Sequence, residues 1–260
     1  MINVVVAGAT GKLGKMVCDM VVGAEDMKLI GAVVSENGGH VGRELYPGVT
    51  AIGPSGLDAV LKDADVYVDL TTPAAASKVI PGIAATGTNL ILGTTAVDSE
   101  AIEAMTAATE KFGTASLISS NFAIGVNVFW KTCETLAKAL PDYDIEVIEA
   151  HHNMKKDAPS GTAAEAVRRL QAASGIDDVV YGRSGVTGPR KREIGVHAIR
   201  AGSIVGDHTV IFAGNMERIE LTHRAISREV FAAGCVESIR WIAGKKDGKV
   251  HSMEEVLGLC

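Results

Sequence analysis

A chain of 260 residues, 47% of them hydrophobic, is long enough to bury one large core or two smaller ones. Its formal net charge of -6 offers no basic field to a nucleic acid, and aromatics at 4% leave little material for base-stacking platforms. No apolar run approaches membrane-spanning length, and the chain enters a strand straight after Met1 without a basic or apolar leader. A soluble cytoplasmic protein with no nucleic-acid or membrane partner is therefore expected.

Residues 2–7 form a nearly all-apolar run, the pattern of a strand covered on both faces of a parallel sheet. Gly8-Ala9-Thr10-Gly11-Lys12-Leu13-Gly14 then opens a helix with Leu13, Met16, Val17, Met20 and Val21 on one stripe. The G-x-x-G-x-x-G spacing is a relative of the dinucleotide fingerprint, in which glycines allow a tight turn and let a pyrophosphate approach the helix N-terminus. A second strand, 28–34, ends at Ser35-Glu36, near the position where an acidic residue would hold an adenosine ribose. Ser35 leaves room for a 2′-phosphate that Lys12 could neutralise, whereas Glu36 could bind ribose hydroxyls. The expected cofactor is thus NADPH or NADH, with both used. Residues 38–56 read as a loop with little regular structure.

Strands at 66–70, 89–92 and 115–118 alternate with helices at 74–85 and 100–111, which predicts a doubly wound α/β sheet. Ligands of such sheets lie at the carboxyl ends of the strands. There the chain places Thr71-Thr72-Pro73, Gly93-Thr94-Thr95 and Ser119-Ser120-Asn121-Phe122, so these loops are candidate cofactor contacts. From Gly125 the pattern changes to a helix reaching 140, a strand at 143–148, and strands at 196–201, 209–213 and 218–222 with no helices between the later ones. This predicts a second, α+β domain with an open antiparallel or mixed sheet, one broad face of which is a candidate oligomer interface. A helix at 228–243 and a tail at 252–259 should return to the first domain. The expected division is 1–122 for dinucleotide binding, 123–227 for substrate and oligomerisation, and 228–260 back in the first domain, with a hinge at the two crossings.

Chemistry concentrates in Glu149-Ala150-His151-His152-Asn153-Met154-Lys155-Lys156-Asp157-Ala158-Pro159-Ser160-Gly161-Thr162-Ala163, read as a strand-to-helix loop. Thr162-Ala163-Ala164-Glu165 has the spacing of a capping box, with Thr162 as N-cap of a helix that runs toward Ser174-Gly175. Two imidazoles, two ammonium groups and the free N–H donors of a helix start are the parts needed to grip an anion and move a proton. Arg200, Lys156 and the cluster Arg190-Lys191-Arg192 read mainly as solvated charge. Cys18, Cys133, Cys235 and Cys260 lack metal-ligand spacing, so free thiols and no metal are expected.

The 149–163 stretch resembles the signature of the dihydrodipicolinate reductase family. The resemblance extends to the Gly8–Gly14 turn, Gly93-Thr94-Thr95, Asn121-Phe122 with Gly125-Val126-Asn127, and residues 200–209 and 217–227. It implies NAD(P)H-dependent reduction of 4-hydroxy-tetrahydrodipicolinate, a small dicarboxylate, on the route to diaminopimelate and lysine, by a homotetramer assembled through the second domain's sheet. It further implies proton-transfer roles for His151 and Lys155 and substrate contacts from His152, Ser160, Gly161 and Thr162. Three positions depart from the family pattern: Ala96 replaces a usual glycine, Ser120 a proline, and Ser35 the frequent acidic ribose contact. Gly8-Ala9-Thr10-Gly11 also resembles atypical short-chain dehydrogenases and nucleotide-sensing relatives. None of Tyr46, Tyr67, Tyr143 or Tyr181 has the lysine four residues later that the enzymes of that class require.

Overall fold

Strand β1 (Ile2–Ala7) is buried from Val4 onward, as an apolar run covered on both faces requires. The computed structural model describes residues 1–260. Helix α1 (Lys12–Gly23) buries Gly14, Val17, Cys18 and Val21, with Leu13, Met16 and Met20 packed partly covered beside them. Strand β2 (Met27–Val33) pairs parallel to β1. Residues 38–56 correct the expected irregular loop. They contain β3 (Glu44–Tyr46) and β4 (Val49–Ile52), an antiparallel pair whose second strand extends the sheet from β2, and a 3-10 turn leads into the short helix α2 (Leu57–Leu61). Gly48, at φ +75, makes the reversal, and the alternation of buried Val49 and Ala51 is too short to stand out from a glycine-rich stretch. Next come β5 (Val66–Asp69), α3 (Pro73–Ile83), β6 (Asn89–Leu92), α4 (Ser99–Phe112) and β7 (Ser116–Ile118), close to the predicted bounds.

Helix α5 (Ile124–Ala139) carries the chain into a second compact unit, Gly125–Arg228. There β8 (Asp144–His151) runs three residues further than expected, so Glu149, Ala150 and His151 belong to a strand and not to the loop. It is followed by α6 (Gly161–Ser174), β9 (Val179–Tyr181), β10 (Ile194–Arg200), β11 (Gly206–Ala213) and β12 (Arg218–Ala225). Strand β9 was not foreseen; it is three residues long. The sheet order is β12-β11-β8-β10-β9, antiparallel on the β12 side and parallel on the β9 side, hence the mixed sheet that was predicted. Burial alternates along β8 and β11, so Ile145, Val147, Glu149 and His151 share a covered face with His208, Val210 and Phe212. Helices α5 and α6 lie on that face. Phe129 of α5 packs 6.4 Å from the rings of both His208 and His223, and the Trp130 indole donates to the Thr162 carbonyl at 3.0 Å. The opposite face carries Glu146, Ile148, Ile199, Thr209 and Ile211.

Helix α7 (Glu229–Ile242), strand β13 (Val250–His251) and helix α8 (Met253–Val256) belong to the first unit, Met1–Ile124 with Glu229–Cys260. β13 pairs with β7, and α7 packs on α1 through a core that contains Cys18, Cys235, Val236 and Ile239. A Cβ at Gly234 would lie 1.8 Å from the Phe122 carbonyl oxygen, so α7 reaches its depth only because that side chain is absent. The sheet order is β13-β7-β6-β5-β1-β2-β4-β3, parallel except for β3. From β1 the chain builds outward through β2 and β4, then returns to β5 on the other side. The direction of winding therefore reverses between β1 and β5, which makes the sheet doubly wound.

Candidate active site

A cleft of about 430 Å³ opens at that reversal, over the carboxyl ends of β1, β2 and β5. Gly8, Thr10, Gly11, Ser35, Glu36, Asp69 and Thr71 are among its lining residues. Gly8 adopts φ +81, and a Cβ there would sit 2.2 Å from the Leu70 carbonyl oxygen. A Cβ at Gly14 would sit 2.1 Å from the carbonyl oxygen of Gly8. Glycine is thus required at 8 to turn the chain and at 14 to let α1 press against the turn. Gly11 is the N-cap of α1 with no side-chain capping bond, which leaves first-turn N–H donors for an anion, and exposed Lys12 begins the helix. This arrangement fits a dinucleotide pyrophosphate. At the cleft edge the Glu36 carboxylate accepts from the Ser55 hydroxyl at 2.8 Å and the Ser55 amide at 3.2 Å, which fixes an acceptor beside exposed Ser35.

The remaining candidates of this unit divide between surface and core. Leu13, Gly93, Thr94 and Thr95 line a depression of about 260 Å³ with Thr71, and Thr94, Thr95, Ser119 and Ser120 line another of about 310 Å³. Ala9 and Phe122 are 2% exposed, so their side chains serve the core and only their main chain could touch a ligand. Ser119 and Asn121 close their own turn: the Ser119 hydroxyl donates to the Asn121 carbonyl, and the Asn121 side-chain oxygen accepts from the Ala123 amide. Ala96, where the family usually has glycine, is the single non-glycine residue at positive φ, at 55°. The sequence reading gave no role to buried Asp69. Its carboxylate accepts from the hydroxyls of Thr71 and Thr94 at 2.7 Å each, from Tyr67 at 3.2 Å and from the Thr71 amide, tying the loops after β5 and β6 together.

In the second unit the strand-to-helix loop is anchored from below. Glu149 is 0% exposed, and its carboxylate accepts from four donors: both terminal nitrogens of Arg200 at 2.8 Å, the Ser160 amide at 3.0 Å, and His151 Nδ1 at 2.5 Å. Burial pushes its carboxyl up, but the donors from Arg200, His151 and Ser160 outweigh that and hold it below the usual range. Arg200 also donates to the Asp157 carbonyl at 2.6 Å. Its expected role as solvated charge is therefore corrected, because β10 runs beside β8 and brings its guanidinium onto Glu149. Arg190 is likewise engaged, with Asp144, Glu146 and main-chain carbonyls.

Helix α6 starts two residues earlier than the capping-box reading required. The N-cap is Ser160, whose hydroxyl oxygen accepts from the Ala163 amide, and not Thr162. The correction follows from the pairing of Ser160. Its amide is held by Glu149 and its hydroxyl lies 3.0 Å from His208 Nε2, which places it at the helix entrance. Burial, with the nearby His151, lowers the His208 pKa to about 3, so the ring is neutral. Around this anchor stand His151, 8% exposed, His152 with Arg228 Nη2 at 3.2 Å from its Nε2, and Lys155 paired with Asp157 at 2.8 Å. Exposed Gly161 and partly exposed Thr162 form the first turn of α6. The structure thus places His151, His152, Lys155, Ser160, Gly161 and Thr162 in the second unit.

Family models described as the N-terminus and the C-terminus of dihydrodipicolinate reductase match residues 2–122 and 125–257. The chain belongs to the dihydrodipicolinate reductase family. Relatives named 4-hydroxy-tetrahydrodipicolinate reductase include one from Methanocaldococcus jannaschii, 48% identical across 100% of this chain and 98% of its own length. Another, from Methanosarcina barkeri, is 44% identical across the full length of both. A solved dipicolinate-bound dihydrodipicolinate reductase from Paenisporosarcina sp. TG-14 shares the fold, with a TM-score of 0.82, 24% identity and 98% of each chain covered. As a member of the dihydrodipicolinate reductase family, the chain is an oxidoreductase that reduces 4-hydroxy-tetrahydrodipicolinate with a pyridine nucleotide, a step of diaminopimelate and lysine biosynthesis. No helix is long and apolar enough to cross a membrane.

Proposed function

We propose that the second unit binds the dicarboxylate and supplies the proton, that the first binds NADPH or NADH interchangeably, and that the enzyme works in the cytoplasm as a homotetramer. One observation carries the substrate reading: between a buried carboxylate near the end of β8 and a capped helix start stand two imidazoles, one ammonium group and helix N–H donors. When bound, the nicotinamide supplies a hydride to the electron-poor carbon of a conjugated cyclic imine. The chain's own task is then to hold two carboxylates and deliver a proton to the electron-rich product of that transfer. The first turn of α6, at Gly161 and Thr162, offers N–H donors and a partial positive charge to one carboxylate. His152 and the Ser160-capped turn frame the same anion, and Lys155 can exchange Asp157 for it. His151 and Lys155 are the proton-bearing groups.

His151→Gln and Lys155→Ala should each lose about 10²-fold or more in kcat while nucleotide affinity is kept, a size typical of a general acid. Near wild-type turnover in both would overturn the assignment. Nucleotide binding without NADPH oxidation on enzymatically generated substrate would instead indicate a sensor. For the nucleotide, Lys12 at the start of α1 suits a 2′-phosphate and Glu36, held by Ser55, suits ribose hydroxyls. Both cofactors should therefore work within roughly tenfold of each other, about 1.4 kcal/mol. Lys12→Ala should weaken NADPH selectively, and an equal rise in KM for both nucleotides would remove that role from Lys12. The tetramer is supported by the face of the mixed sheet that neither α5 nor α6 covers, where Ile148, Ile199 and Ile211 stand.

A further inference from the structure

We infer that Glu149 is a positioning residue for His151, holding its imidazole as the Nδ1–H tautomer so that Nε2 is the nitrogen turned to substrate. The inference rests on the proposed proton role of His151. A carboxylate buried in mid-strand must be paired to be tolerated, and the Arg200 fork with the Ser160 amide already pairs it. Its shortest contact, 2.5 Å, goes to a further partner, His151 Nδ1, two residues along the same strand and therefore on the same face. An ionised carboxylate only accepts, so the proton of that bond belongs to Nδ1 and the lone pair of the neutral ring to Nε2.

The surroundings preserve that orientation. The His208 ring stands edge-on at 5.2 Å, limiting rotation of His151. At Gly206 a Cβ would come within 3.0 Å of His151 Nε2, so glycine there leaves that nitrogen room. Arg200 also donates to the carbonyls of Ile199 and Asp157, and with Ser160 it fixes the carboxylate between β8, β10 and the start of α6. An ion pair that only stabilised the fold would leave the choice of tautomer to solvent. Here one carboxylate oxygen is shared between the Arg200 fork and the imidazole.

The test is ¹⁵N NMR of the histidine-labelled full chain, with steady-state kinetics. At a pH where the wild-type ring is neutral, His151 should show a protonated Nδ1 and an unprotonated Nε2, the nitrogen that takes up and then delivers the transferred proton. Glu149→Gln offers one acceptor where Arg200 and His151 need two, and its amide can donate to Nδ1. The variant should therefore mix the tautomers and lose on the order of 10²-fold in kcat, with substrate KM and nucleotide Kd within about twofold. A neutral wild-type ring with its single proton on Nε2, or wild-type kcat in Glu149→Gln, would overturn the inference. If Glu149→Gln does not fold, the double variant Glu149→Gln with Arg200→Gln leaves no unpaired buried charge and is read by the same two criteria. His151→Gln measured in parallel separates the two claims. Full turnover there would end the proton role of His151, while the tautomer signal reports on Glu149 regardless.

Discussion

Ser160 joins the helix cap to the histidine cluster through one hydroxyl. The oxygen accepts from the Ala163 amide while its proton is available to His208 Nε2, 3.0 Å away. Ser160→Ala should remove a cap worth ~1 kcal/mol and strand a buried imidazole nitrogen, for a loss of about 2 kcal/mol in urea unfolding. A wild-type midpoint for the variant would show that neither bond contributes. His208 has its own signature in pH. Its pKa is lowered from 6.5 to about 3, so between those values the unfolded chain takes up a proton that the folded chain refuses. Stability should therefore fall on acidification through that window, by up to about 1.4 kcal/mol per pH unit for this one proton. His208→Gln should flatten the decline between pH 6.5 and 4, and equal slopes for variant and wild type would contradict it.

Among the elements, α1 and β8 are set by side-chain geometry at single positions. Gly14 allows α1 to sit against the turn, so Gly14→Ala, which puts a methyl 2.1 Å from the Gly8 carbonyl oxygen, must displace the helix start. Kd for NADH and NADPH should rise together by more than about tenfold, since the displaced N–H donors serve the pyrophosphate common to both. Pyridine-2,6-dicarboxylate binding, proposed above for the other unit, should be unaffected. Unchanged nucleotide Kd values by calorimetry would refute the close-packing role. In β8 the alternation of Ile145, Val147, Glu149 and His151 on the covered face continues past 148, where the sequence alone predicted a loop. Carried four residues past Val147, the period-2 pattern turns Glu149 and His151 inward, and a glutamate among apolar positions requires a paired cation.

For the whole molecule, the uncovered face of the mixed sheet is where assembly should be tested. Sedimentation equilibrium should give a mass about four times that of the 27.0 kDa chain. Ile211→Glu, on that face and away from the histidine cluster, should lower the mass to that of a smaller species. A tetramer that persists in the variant would place the interface elsewhere.

The sequence by itself determined the doubly wound first sheet, the mixed second sheet, the glycine turn and the strand-to-helix passage in which His151 to Thr162 lie. Each of these is written in local terms: an apolar run, a spacing of glycines, a strand followed by a helix start. It did not determine β3 and β4, whose short strands flank Gly48, or the N-cap, where both Ser160 and Thr162 have the right chemistry and only the bonds from Glu149 and His208 select Ser160. Nor did it reveal Asp69 and Arg200 as organisers. Arg200 lies 51 residues from Glu149, and Thr94 lies 25 from Asp69. Pairings of that separation exist only once strands are laid side by side, β10 on β8 and β6 on β5, because a charged or hydroxyl side chain shows no partner in its own stretch of chain. What tertiary structure decided was therefore which polar groups are buried together, since desolvation makes those pairings obligatory and no local pattern encodes them.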